Sequence, residues 1–275
     1  MTKILGLYRA ERFSPNSVEK DRLILQAVGA ELQAMGYEVS YLTEEELTAD
    51  TPCQVVMTMG RLKQTQQILA QKEAEGTVVV NSPESITACA RAKIDAAMRQ
   101  HHIPAAPLTG TDGWWIKRGD EAAQSHDDVR FAATEAERES IVADFKKRGI
   151  DNIVITAHVK GDLLKFYGVA GTPFFKVYYP SDDGQFKFGD EQFNGQAHHF
   201  GFNMVQLSEQ ASRLAALTGL MVYGGDCIVR KDGPFAIIDF NDWPSFSRCR
   251  QEAAHAIAAK VAMMAKEKGW LPNRQ

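Results

Sequence analysis

The segment Gly225-Asp226-Cys227-Ile228-Val229-Arg230-Lys231-Asp232-Gly233-Pro234-Phe235-Ala236-Ile237-Ile238-Asp239-Phe240-Asn241-Asp242 sets two runs of strand-forming residues around a Lys-Asp-Gly reversal. With Asp232 and Gly233 as the two central turn residues, Asp226 and Asp239 fall directly opposite each other, and strand alternation returns Asn241 to their face while Phe240 and Asp242 point away. Two ionised carboxylates facing each other among apolar neighbours repel unless something positive sits between them. Two carboxylates and an amide oxygen suit Mg2+, whereas zinc would want His or Cys, and phosphate oxygens and water would complete the shell. A nucleotide phosphate is therefore the expected ligand. A solvated hairpin whose acids face water is the other reading.

Cationic residues stand where such a ligand could meet them. Trp114-Trp115-Ile116-Lys117 reads as a short strand ending in a lysine, followed by a polar loop from Arg118 to Asp128 that contains His126. Arg9, Arg12 and Arg61 fall beyond the carboxyl ends of two early strands, where open α/β sheets bind ligands, and are candidates to receive an anionic substrate. Solvated loop arginines are the alternative.

Three sets of elements must bring these residues together. Ile4 to Tyr8, Tyr37 to Leu42, Gln54 to Met59 and Thr77 to Val80 read as strands, with helices over Ser17 to Met35 and Leu62 to Glu75 between them. That alternation predicts an α/β amino-terminal domain with a parallel sheet over residues 1–88. No glycine-rich dinucleotide fingerprint follows its first strand, which argues against a nicotinamide cofactor. A second, α+β module over 89–160 holds a helix carrying Lys93, the Lys117 strand, a strand at Val129 to Ala132, an amphipathic helix over Glu135 to Lys147 and a strand at Ile153 to Thr156. The third, 161–275, opens with a hairpin in which Lys165 and Tyr167 share a face, and runs through a long loop at Gly184 to Asn203 before the Asp226–Asp239 hairpin and a final helix over Glu252 to Lys268.

Composition narrows the class of function. The chain has 275 residues, 31 basic against 35 acidic, for a formal charge of −4, which gives no broad cationic footprint for nucleic acid or an anionic membrane. Four cysteines lie far apart without paired spacing, and no apolar stretch approaches a signal or membrane-spanning length. Reduced thiols and a cytoplasmic location are expected.

Taken in order, these segments resemble the ATP-grasp superfamily, in which nucleotide and metal sit between two α+β subdomains behind an amino-terminal α/β domain. Ala92-Lys93-Ile94-Asp95 followed by Ile103-Pro104-Ala105-Ala106-Pro107 looks like the family's helix lysine and the proline segment after it, and Ile116-Lys117 like its second nucleotide lysine. The resemblance implies ATP and Mg2+ as cofactors, phosphate contacts from Lys93 and Lys117, an adenine hinge at Ala157, His158 and Val159, and metal ligands at Asp226, Asp239 and Asn241. The family usually has Gln or Glu where Thr156 or Ala157 stands, and Pro where Arg118 stands. Ser125-His126-Asp127 with Lys165 look most like inositol polyphosphate kinases, which gives His126 and Lys165 catalytic roles in stabilising charge during phosphoryl transfer. Most of the superfamily are carboxylate-amine ligases that pass through an acylphosphate. The leading expectation is such a ligase acting on a small-molecule acceptor. A hydroxyl kinase and a nucleotide-binding regulatory protein without turnover are the alternatives.

Overall fold

Short apolar runs separated by amphipathic helices fold the first third of the chain as a parallel sheet. A computed structural model describes residues 2–13, 18–120, 125–182 and 194–272. Strands β1 (Lys3–Tyr8), β2 (Glu38–Thr43), β3 (Val55–Thr58) and β4 (Val78–Val80) pair in parallel in the order β2-β1-β3-β4. Helix α1 (Val18–Ala34) lays Ile24, Leu25, Val28 and Leu32 against the sheet, and α2 (Lys63–Ala74) follows β3. Loops after β1 and β3 therefore emerge at one edge, which brings the backbone of Arg9 and Arg61 together. Ser14, in the first of these loops, lies outside the described residues.

Ser82 accepts from Ser85 N to start α3 (Pro83–Ala88), and α4 (Arg91–Gln100) follows directly. A small antiparallel sheet, order β6-β5-β7, is built from β5 (Trp114–Arg118), β6 (Val129–Ala132) and β7 (Ile153–Ala157). Helix α5 (Glu135–Lys147) starts in a Thr134–Glu137 capping box and buries Ile141 and Phe145 against Ile116 and Ala132. The last third forms a second antiparallel sheet, order β11-β10-β8-β9, from β8 (Asp162–Val169), β9 (Phe175–Tyr178), β10 (Val222–Val229) and β11 (Phe235–Asp242). Helix α6 (Met204–Thr218) packs with α4 on one face of this sheet. Helix α7 (Arg250–Glu267) returns to the beginning of the chain, where Ala254, Ile257 and Val261 share one core with α1, Trp243 and Phe246. Of the loop expected from Gly184 to Asn203, residues 184–193 lie outside the described residues, and 194–203 show no helix or strand of more than a single turn.

The β10–β11 hairpin reaches the expected pairing by a different route. Its reversal is a three-residue connection: Arg230 N bonds Pro234 O at 2.9 Å, Gly233 N bonds Arg230 O at 2.9 Å, and Gly233 takes φ +100°, the left-handed conformation this turn requires. That shifts the register by one residue from a two-residue turn, so Val229 faces Phe235 and Cys227 faces Ile237. A bulge then inserts Ile238 without a partner and restores Asp226 opposite Asp239. Turn and bulge differ from the expected hairpin by one residue each, in opposite senses. The bulge also changes which face β11 presents: Phe235 and Ile237 enter the core, as does Phe240, while Asp239 is released to the other side.

Candidate nucleotide and metal site

One row of side chains crosses the second antiparallel sheet in the order Asp239, Asp226, Lys165, Tyr178, one from each strand. Asn241 lies two residues beyond Asp239 on the same face, and its amide donates to Asp239 Oδ2 at 3.0 Å. The three oxygen-bearing residues singled out in the sequence are thus brought together. Their charges are balanced by the chain itself: Lys165 Nζ donates to both oxygens of Asp226, at 3.0 and 3.3 Å, and the Arg91 guanidinium lies 3.5 Å from Asp239. Repulsion between the acids therefore does not by itself demand a cation, as the sequence alone suggests. The donor set is nonetheless all oxygen, two carboxylates and an amide, and fits Mg2+. Among the described residues no cluster of three or more His, Cys, Asp or Glu comes together, so a zinc-type centre is not formed.

Lys117 comes to this group from the small sheet. It is 9% exposed, and its ammonium donates to the carbonyl of Ile238 at 2.9 Å. The bulge explains why that oxygen is available, because Ile238 has no partner residue in the hairpin ladder. Burial pulls the Lys117 pKa below the usual lysine range, with Asp239 acting against that trend and Arg91 reinforcing it. Burial raises the Asp239 carboxyl, but Arg91 and Lys117 outweigh it and hold the group below the ordinary aspartate value. Asp239 is therefore ionised at neutral pH.

A small cleft opens between the two antiparallel sheets. Arg91, Lys117 and Asp239 line it together with the apolar Met98, Val154, Ile237 and Phe240, and Thr156 is also on the wall. Asp95 also lines it and is held by a two-pronged bond from Arg99, both contacts 2.8 Å. Four cations, Arg91, Arg99, Lys117 and Lys165, meet three carboxylates, Asp95, Asp226 and Asp239, in this neighbourhood. The balance is positive, as an anionic polyphosphate requires.

Other candidates are placed differently. Lys93 lies on the exposed side of α4 and does not line the cleft; Arg91, two residues earlier, does. An arginine at a helix start carries no distinctive sequence signal, so only the helix phase could have indicated it. Ala157 N donates to Pro107 O at 2.7 Å and His158 N to Gly113 O at 2.8 Å, so these two hinge N–H groups are already engaged by the chain. The His158 ring accepts from Trp115 Nε1 at 3.1 Å, and burial lowers its pKa. Val159 follows them, while Thr156 is the residue of this stretch that lines the cleft. His126 is exposed, in a 3-10 turn whose Ser125 and Asp128 cap each other, and is not part of the cleft wall.

The early arginines do not form an open anion site. Arg12 is exposed and stacks over Phe13, 4.8 Å from the ring centre. Arg9 and Arg61 are largely buried and bind the chain itself, Arg9 through Trp243 O at 3.2 Å and Arg61 through Asp242. The backbone N–H groups of Arg61 and Leu62, just before α2, are taken by the Glu44 carboxylate.

Comparison with solved structures identifies the fold. No known protein-family profile and no curated protein matches the sequence. The chain superposes on D-alanyl-alanine synthetase A from Vibrio cholerae O1 biovar eltor with a TM-score of 0.68 at 13% identity, covering 97% of this chain and 98% of that one. It matches the ATP-grasp ligase PsnB, solved with a minimal precursor, at TM-score 0.61 and 14% identity over 96% and 99% of the two chains. The D-alanine–D-alanine ligase from Bacillus anthracis complexed with ATP gives 0.63 at 14% over 98% and 99%. The protein has the ATP-grasp fold along nearly its whole length.

Proposed function

We propose that this chain is an Mg-ATP-dependent ligase that phosphorylates a small carboxylate and joins the resulting acylphosphate to an amine. The observation that supports it best is the meeting of Lys117 and Arg91 from one side with Asp239 from the other at a cleft that also has apolar walls, with Asp226, Asn241 and Lys165 beside Asp239 on the same sheet face. Lys117 and Arg91 would hold phosphate oxygens, and their burial strengthens each contact because water screens it less. Asp226, Asp239 and Asn241 would hold magnesium, which when bound offsets charge on the phosphates. Lys165 stands beside Asp226 where its ammonium can neutralise charge on the transferring phosphoryl group. The ligases with the same fold, one of them solved with ATP, favour a carboxylate as phosphoryl acceptor.

Incubating the protein with Mg-ATP and paired libraries of small carboxylates and amines tests this. Equal amounts of ADP and inorganic phosphate, both dependent on carboxylate and amine together, are expected. ADP with a phosphorylated alcohol and no free phosphate would instead make the protein a hydroxyl kinase. Tight Mg-ATP binding with no turnover across the libraries would make it a nucleotide-responsive regulator.

A further inference from the structure

A continuous set of buried polar contacts runs from the amino-terminal sheet into β11. Glu44 is 2% exposed, and its carboxylate accepts the backbone N–H groups of Ala10, Arg61 and Leu62 at 2.5, 2.7 and 2.7 Å. One side chain thereby fixes the loops after both β1 and β3. From those loops Arg9 reaches Trp243 O and Arg61 reaches Asp242, at the end of β11. Trp243 is further anchored by its backbone N–H to Val222 O and its indole N–H to Val80 O, each at 3.2 Å. Trp243 and Phe246 take φ values of +37° and +47°, a conformation that non-glycine residues keep only where their surroundings enforce it.

The Arg61–Asp242 pair is poorly built for stability alone. The Asp242 side chain is fully buried, and Asp242 Oδ2 and Arg61 Nε have no hydrogen-bond partner among the described residues. Two desolvated charges with unsatisfied atoms gain little over an apolar contact of the same volume. What such a pair does fix is position. Asp242 is adjacent to Asn241 and three residues from Asp239, so anchoring it sets where β11 ends and how the cleft-facing residues before it are presented.

We propose that the Arg61–Asp242 pair, with Arg61 seated by Glu44, is a positioning device through which the amino-terminal sheet holds Asp239 and Asn241 in place against Asp226. Its effect on ligand affinity rests on the nucleotide reading of the cleft, whereas the anchoring itself belongs to the free protein. Hydrogen exchange over residues 235–243 of the unliganded protein, together with Mg-ADP titration calorimetry, separates the two for wild type, Arg61→Leu and Arg61→Lys. In folded Arg61→Leu, exchange over 235–243 should rise at least tenfold while β5 and β8 stay near wild type, and Mg-ADP should bind at least tenfold more weakly; Arg61→Lys should recover part of both. Unchanged exchange over 235–243, or an equal rise throughout the chain, overturns the proposal. If Arg61→Leu does not fold, Arg61→Lys decides by the same criterion, with a smaller rise confined to 235–243 expected. Failure of the wild type to bind Mg-ADP would overturn the nucleotide reading and leave the exchange result to judge the anchoring.

Discussion

The edge of the amino-terminal sheet and the face of the second antiparallel sheet are made of the same ingredients, arginine or lysine beside buried acid, but they differ in what those groups face. At the first, Glu44 occupies the backbone N–H groups of Arg61 and Leu62 just before α2, and Arg9 and Arg61 are turned onto Trp243 O and Asp242. At the second, Lys117, Arg91 and Asp239 line an open cleft, with Asp226 and Lys165 beside them. Basic residues beyond strand ends are therefore insufficient to mark a ligand site. In both regions the chain supplies counter-charges, and what distinguishes the two is the space left beside them.

Substitutions on the two sides should separate along that line. The largest expected effect is Asp239→Ala, which removes a charged ligand and should weaken Mg-ADP binding by more than about 100-fold while the protein stays folded, as read by titration calorimetry and circular dichroism. Retained affinity would mean that β11 does not hold metal. Glu44→Ala should do the reverse: one buried and two half-buried N–H groups lose their acceptor, and thermal or urea unfolding should show a loss of about 3 kcal/mol. A stability unchanged from wild type would show that water replaces the carboxylate there. The smallest effect is one of pH. Because burial lowers the Lys117 pKa, its charge is lost at lower pH than that of an exposed lysine, so nucleotide affinity should fall as pH rises through that lowered value. A decline of about tenfold is expected, the worth of one charged hydrogen bond. Titrations from pH 7 to about 10 should show it in wild type and not in Lys117→Met.

Much of the architecture was legible because its signals are local. The period of α1, the β-strand runs and the Ala170-Gly171-Thr172 reversal between β8 and β9 each follow from a few neighbouring residues. The convergence of Asp226, Asp239 and Asn241 was legible too, though through two offsets that cancel. A two-residue turn was the simplest reading of Asp232-Gly233. The bulge had only a faint trace, the consecutive Ile237 and Ile238 where strict alternation should have placed one polar residue. Arg91 in place of Lys93 was missed because α4 begins at Arg91, leaving its phase undefined by earlier turns. The docking of Arg9 and Arg61 onto Trp243 and Asp242 could not be read at all: those partners lie 234 and 181 residues away, and no local pattern encodes contacts at that separation.

The extra residue at Ile238 decouples the two ends of the β10–β11 hairpin. Arg230, Lys231 and Asp232 are exposed at the tip, and the irregularity between tip and cleft can absorb a change of register introduced there. The tip is accordingly a natural splice point, where a fluorophore-bearing peptide or a new pair of chain termini can be introduced some distance from the cleft.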